Sequence, residues 1–208
     1  NAVTFDKLAL SIIDEQHRFG VHQRMALQNK AANGTQPHQL VMTATPIPRT
    51  LTMALYADMD VSVIDELPKG RQPITTHTVE ASKRGQVVEQ VAKALSQGQQ
   101  AYWVCTLIED SDDLDAVSAE HMFQALSDAL PAFRVGLLHG RMKSDEKISV
   151  MQAFKAHQLD LLVATTVVEV GVDVPNATLM VMEDADRLGL AQLHQLRGRV
   201  GRGTIPSH

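Results

Sequence analysis

A parallel α/β sheet with helices on both faces is the fold class this sequence predicts, and three observations predict it. Short aliphatic runs such as Leu161-Leu162-Val163-Ala164 are apolar at every position rather than at every second one, which marks strands covered on both faces. Those runs alternate with amphipathic stretches along the chain. The 208 residues, 44% apolar and 21% charged, can bury a core without help from disulfides or metals.

In chain order, the aliphatic or β-branched runs predict strands at Leu10–Ile13, Leu40–Met42, Val61–Ile64 and Thr75–Val79. Further strands are expected at Ala101–Cys105, Val135–Leu138, Leu161–Ala164 and Leu179–Met182. Amphipathic stretches predict helices at Gln23–Lys30, Arg84–Gln97, Asp113–Leu130, Ser144–Lys155, Val167–Val170 and Leu190–Arg197. One more is expected at Arg49–Asp58, where Pro46 and Pro48 favour a helix start. Connections between parallel strands should be right-handed crossovers.

A domain boundary is predicted at Leu67-Pro68-Lys69-Gly70-Arg71-Gln72-Pro73. Two prolines and a glycine in seven residues continue neither a helix nor a central strand. Residues 74–208 then hold five strands, a full-sized domain, whereas residues 1–73 hold three and read as half of one. The chain opens on Asn1-Ala2-Val3 without a methionine, as expected of a piece cut from a longer protein.

Composition excludes several classes. The single cysteine, Cys105, rules out a disulfide framework and multi-cysteine metal sites, and a lone thiol suits a reducing cytoplasm. No apolar run reaches the ~18 residues of a membrane span. The net charge of −5 is unevenly placed: seven acids and no lysine or arginine between Glu109 and Asp128, four arginines and no acid between Arg187 and His208. The acidic run reads as a solvated helix face.

Four stretches carry chemistry. In Leu10-Ser11-Ile12-Ile13-Asp14-Glu15-Gln16-His17 an apolar strand runs into paired carboxylates, at the kind of strand end where α/β sheets place ligands. One acid can hold Mg²⁺ through water while the next activates a water; solvated acids at a strand end are the plain alternative, and an Asp14, His17 and His22 metal site is a second one. In Val41-Met42-Thr43-Ala44-Thr45-Pro46, threonines either relay hydrogen bonds from a phosphate site or cap the next helix. In Leu161 through Pro175, Thr165 and Thr166 end a strand, and Gly171 and Asp173 follow; hydroxyls and free N–H groups at a helix start suit a phosphate of a nucleotide or a nucleic acid. In Gln195-Leu196-Arg197-Gly198-Arg199-Val200-Gly201-Arg202, arginines alternate with small residues. Such a cluster stabilises charge on a transferring phosphoryl group, or forms a basic nucleic-acid patch.

Taken together and in this order, the four stretches resemble the second half of a superfamily 2 nucleic-acid motor. Asp14-Glu15-Gln16-His17 is similar to its Walker B element, Thr43-Ala44-Thr45 to its coupling motif, Thr165 through Asp173 to motif V, and Gln195 through Arg202 to its arginine motif. The wording of Asp14 through Val21, Thr43 through Leu51 and Glu169 through Ala177 narrows the resemblance to the RecG-type branch-migration helicases, with transcription-repair coupling translocases as the nearest alternative. The resemblance spans the whole chain.

It implies two RecA-like lobes, the first of them partial, with ATP hydrolysed between them and branched or double-stranded DNA as partner. Asp14 would hold Mg²⁺ and Glu15 activate water; Gln16, His17, Thr43 and Thr45 would couple nucleotide state to DNA. Gln195, Arg199 and Arg202 would reach the γ-phosphate, Gly171 and Asp173 would lie near the nucleotide, and Thr165, Thr166 and Arg197 would touch DNA. The family's Gly-Lys-Thr or Gly-Lys-Ser loop does not occur in the thirteen residues before Asp14, so this piece alone is expected to be inactive. The family's N-terminal wedge domain and the elements beyond its arginine motif are not found here either. The full-length protein is expected to be cytoplasmic and monomeric, and this piece to self-associate through uncovered apolar surface. A non-catalytic nucleic-acid-binding lobe is the rival from another class; the Asp14-Glu15 pair argues against it, since carboxylates repel phosphates unless a metal intervenes.

Overall fold

The computed structural model describes residues 5, 7–15, 37–43, 60–66, 71–106, 112–165 and 173–208, with side chains of the Asp112 helix from Ala116 on. The expected helices Gln23–Lys30, Arg49–Asp58 and Val167–Val170 lie outside these residues. The chain divides into two compact units, Asn1–Ile64 and Asp65–His208.

In the first unit, β1 (Leu10–Ile13) and β2 (His38–Val41) pair in parallel, with Leu10 opposite His38 and Ile13 opposite Val41. Backbone bonds continue past both ends: His38 N–H donates to the Ala9 carbonyl at 2.9 Å and Met42 N–H to the Ile13 carbonyl at 2.8 Å. Ser11 and Ile13 are buried while Leu10 and Ile12 face outward. β2 starts two residues earlier than expected, because the backbone ladder accepts His38 and Gln39 regardless of their polar side chains. Val61–Ile64 forms no strand, and Ile64 is 94% exposed. An apolar run becomes a strand only when a neighbour takes up its N–H and C=O groups.

In the second unit four parallel strands stand in the order β4-β5-β3-β6. They are β3 (Gln100–Val104), β4 (Val135–Leu138), β5 (Leu161–Ala164) and β6 (Ala177–Met182). The α-helices among its described residues are α1 (Arg84–Ser96), α2 (Asp112–Ala129), α3 (Ser144–Lys155) and α4 (Leu190–Arg197). The central strands β3 and β5 are buried at every position. Their side chains alternate between two cores, as the period of a strand requires. Ala101, Trp103, Leu161 and Val163 pack with Val91 and Leu95 of α1 and Ala119 and Leu126 of α2. Tyr102, Val104, Leu162 and Ala164 pack with Met151 and Phe154 of α3 and Leu196 of α4.

Local chemistry fixes the element ends. α1 closes in a Schellman motif: Gly98, at φ 78°, donates to the Leu95 carbonyl and Gln99 to the Ala94 carbonyl. The buried Gln100 amide donates to the Phe154 carbonyl at 2.6 Å and the Leu159 carbonyl at 2.7 Å, tying β3 to the end of α3. Arg134 and Asp160 join the starts of β4 and β5 through two side-chain bonds, 2.7 and 3.0 Å, and that pairing holds the Asp160 carboxyl below its ordinary range. In α2 the acids Glu120 and Asp128 are exposed, as expected of a solvated face, while Ala116, Ala119 and Leu126 are buried.

Thr75–Val79 is not a strand. Pro73 offers no N–H, Ile74 makes a single parallel bridge to Ser207, and Thr75 N–H donates to the Ser207 carbonyl at 2.9 Å. Ser207 and His208 in turn run beside β6, where Met180 N–H donates to the His208 carbonyl and His208 N–H to the Thr178 carbonyl. The outer edge of β6 is thereby occupied.

Candidate nucleotide and nucleic-acid site

In the first unit the parallel register fixes what stands beside what. Ile13 pairs with Val41, so Asp14 and Glu15 leave β1 on the same side as Met42 and Thr43 leave β2. Asp14 is exposed, and one of its carboxylate oxygens, Oδ1, accepts the Glu15 N–H at 2.9 Å. Glu15 takes a left-handed backbone, φ 50°, rare for a residue with a side chain. The chain thus turns sharply at the end of β1 and presents two carboxylates there. Thr43 is exposed at the matching end of β2. Gln16, His17, His22 and Thr45 lie outside the described residues. Among those described, no three His, Cys, Asp or Glu residues converge as a metal cluster.

In the second unit, α4 carries Gln195, half-buried, and Arg197, exposed, whose Nη2 lies 3.4 Å from His194 Nδ1. Leu196 and Val200 are buried and anchor the turn that follows. Gly198 N–H closes the helix on the His194 carbonyl, and Arg199 N–H reaches the Leu196 carbonyl at 2.9 Å. Gly201 has φ 71°, and a Cβ there would lie 2.8 Å from Ile74 Cγ1, so only glycine fits. A Cβ at Gly203 would meet the Pro175 carbonyl oxygen at 2.6 Å.

Arg202 is held in place by its neighbours. Its Nε donates to the Gly198 carbonyl at 3.1 Å, and its Nη1 lies 3.5 Å from Asp173 Oδ1. Two of the residues singled out in sequence are therefore brought together. Arg199 and Arg202 also act on Tyr102: burial pushes its phenol up to about 12, and the two arginines pull against that rise.

Thr165 ends β5, fully buried, with its N–H donating to the Leu138 carbonyl at 3.1 Å. Its hydroxyl finds no hydrogen-bond partner among the described residues. Thr166 and Gly171 lie outside them.

Sequence reasoning missed Tyr102, which reads only as a strand interior, and Arg71, which reads only as part of a linker. Arg71 Nε donates to the Gly201 carbonyl at 3.1 Å, across 130 positions.

Residues 83–204 match the helicase conserved C-terminal domain, and the chain belongs to that family. Within it, the chain is similar to the ATP-dependent DNA helicase RecG: 62% identical to that of Escherichia coli (strain K12) over 208 residues, 99% of this chain and 30% of that protein. It is 56% identical to RecG of Bacillus subtilis (strain 168), over 97% of this chain and 29% of that protein. The chain thus spans about 30% of the length of these curated relatives. A solved structure of RecG bound to a three-way DNA junction is 46% identical, with a TM-score of 0.74 over 97% of this chain and 25% of that one. Dbp5 of S. cerevisiae, bound to RNA and ADP BeF3, shares the fold at 14% identity, with a TM-score of 0.66 over 98% of this chain and 53% of that one. The parallel sheet covered on both faces is the RecA-like fold of helicase lobes. No helix among the described residues is long and apolar enough to cross a membrane.

Proposed function

We propose that this chain is the motor portion of a cytoplasmic ATP-dependent DNA helicase that remodels branched DNA; its relatives are named ATP-dependent DNA helicase RecG, and a solved RecG is bound to a three-way DNA junction. Residues 1–73 are read as the later part of a first RecA-like lobe and residues 74–208 as the second lobe. The observation that carries the reading is the arginine turn: Arg199 and Arg202 are set on a loop that Val200 anchors, Gly201 shapes and Asp173 engages. A surface patch that served only as counter-charge to DNA would need none of this fixing.

The roles follow from charge and position. Arg199 and Arg202 neutralise charge on the γ-phosphoryl group as it transfers, a function that planar, permanently charged guanidiniums fill well. Gln195 lies on the last turn of α4 beside them. Asp173 and Gly171 are assigned to nucleotide binding. Asp14 is an exposed carboxylate at a strand end, oriented by a backbone N–H, which fits the oxygen ligands Mg²⁺ takes through water. When bound, Mg²⁺ would offset the charge of the β- and γ-phosphates. Glu15 orients the attacking water and accepts its proton. Gln16, His17, Thr43 and Thr45 couple this site to DNA contacts made by Thr165, Thr166 and Arg197. The Thr165 hydroxyl, which finds no partner among the described residues, supports a ligand at that strand end, since buried polar groups are rarely left unsatisfied.

The test is DNA-stimulated ATP hydrolysis by the full-length protein. Glu15→Gln should abolish turnover while leaving ATP and junction binding intact. Unchanged turnover would remove Glu15 from the chemistry.

A further inference from the structure

The chain segment that opens the second unit is fastened to the arginine turn. Arg71 Nε donates to the carbonyl of Gly201, the residue directly before Arg202. Three positions on, the Ile74 side chain lies against Gly201, so close that a Cβ there would sit 2.8 Å from its Cγ1 and 3.1 Å from its Cδ1. The Ile74 backbone bridges Ser207, and Thr75 N–H donates to the Ser207 carbonyl. Residues 201–207 are thus held along one side by residues 71–75, while Val200 is held from the other by the core.

We infer that Arg71 is a positioning residue for Arg202: its bond to the Gly201 carbonyl sets the peptide from which Arg202 projects. The inference rests on the proposed role of Arg202 in ATP hydrolysis. A carbonyl at a left-handed glycine can rotate, because its neighbours in φ/ψ space are open to it. Gly201 is thus a point of backbone freedom in the turn, and Arg71 donates to its carbonyl. The side chain of Arg202, which reaches Gly198 and Asp173, starts from that peptide. Misplacing a group that stabilises transferring charge by about 1 Å can cost on the order of 100-fold in rate. The bond also lies in the stretch through which the chain enters the second unit, so strain in that stretch would reach Arg202 through one hydrogen bond.

The test uses the full-length protein. Arg71→Met keeps most of the side-chain stem and removes the donor. It should lower kcat for DNA-stimulated ATP hydrolysis roughly tenfold, within the range expected of small misplacements. KM for ATP and affinity for a DNA junction should stay within about twofold of the parent, as expected of a residue that acts only through Arg202. Arg71→Lys, which keeps a donor, should regain most of the loss. In an Arg202→Ala background, Arg71→Met should cost nothing further. Amide exchange at Arg202 and Gly203 should quicken in Arg71→Met while Val163 stays protected. A normal kcat in Arg71→Met, beside a crippled Arg202→Ala, overturns this inference alone. So does a full additional loss in the Arg202→Ala background, or a fall in kcat that merely follows the melting temperature. Normal hydrolysis by Arg202→Ala itself would instead defeat the functional reading on which the inference rests.

Discussion

Arg202 and Asp173 lie 3.5 Å apart, guanidinium nitrogen to carboxylate oxygen, though 29 positions separate them in sequence. Asp173 stands in the lead-in to β6 and Arg202 in the turn after α4, so the pair joins two of the stretches that carry the chemistry. The contact is long and solvent-facing: the Asp173 side chain is 56% exposed. Pairs of this kind contribute about 0–1 kcal/mol. Such a contact constrains the Arg202 guanidinium and adds little to the stability of the fold.

Asp173→Ala should therefore leave stability almost unchanged. In urea unfolding of the purified chain, we expect a loss below about 1 kcal/mol. A loss of several kcal/mol would mean that the pair supports the packing of the turn itself.

Phe154 marks the opposite extreme. It is fully buried, lies in the same core as Leu196 and Val200, and meets the Tyr102 ring at 4.9 Å between centroids, tilted by 60°. Phe154→Ala should cost about 3–5 kcal/mol through lost burial and the cavity left behind. Loosening the core under the arginine turn should also quicken amide exchange at Val200. Stability within 1 kcal/mol of the parent, measured by urea unfolding, would show that the second unit does not depend on this core.

Alkaline pH should destabilise the second unit in two stages. Burial pushes the Cys105 thiol up to about 12, Glu183 adding to the rise and Arg84 opposing it; burial likewise pushes Tyr102 up to about 12. Both groups are raised in the folded state. Their contribution is thus complete below the unfolded values, about 8.5 for cysteine and 10 for tyrosine, and is lost as pH rises toward the folded ones. The melting temperature should begin to fall near pH 9 and fall faster above pH 10. Cys105→Ala should flatten the first stage and Tyr102→Phe the second. A melting temperature constant from pH 8.5 to 11 would contradict the burial of both groups.

The sequence shows the second unit's sheet well because β3 and β5 are buried on both faces, and such strands must be apolar throughout. Val135–Leu138 and Leu161–Ala164 form where expected. Polar strand starts were not visible. His38 and Gln100 join ladders that side-chain pattern does not report, and Gln100 is tolerated only because two carbonyls satisfy its amide. The expected strands at Val61–Ile64 and Thr75–Val79 fail for the converse reason: strand-like residues without a ladder. Motif spacing singled out Asp14, Glu15, Asp173, Arg199 and Arg202, and of these the structure brings Asp173 and Arg202 together. Spacing could not reveal that Arg71 meets Gly201 or that Tyr102 lies within the field of two arginines, because both depend on folding across long separations.

The most direct test of the account concerns Arg199 and Arg202 in the full-length protein. Steady-state ATP hydrolysis and junction binding should be measured side by side for Arg199→Ala and Arg202→Ala. Arginines that stabilise a transferring phosphoryl group can be worth ~10³–10⁵ in rate. Each variant should lose at least about 100-fold in kcat, lysine, which lacks the planar fork, should rescue poorly, and DNA affinity should stay within about threefold of the parent. Normal hydrolysis with weakened DNA binding in both variants would contradict this role and make the turn a nucleic-acid patch.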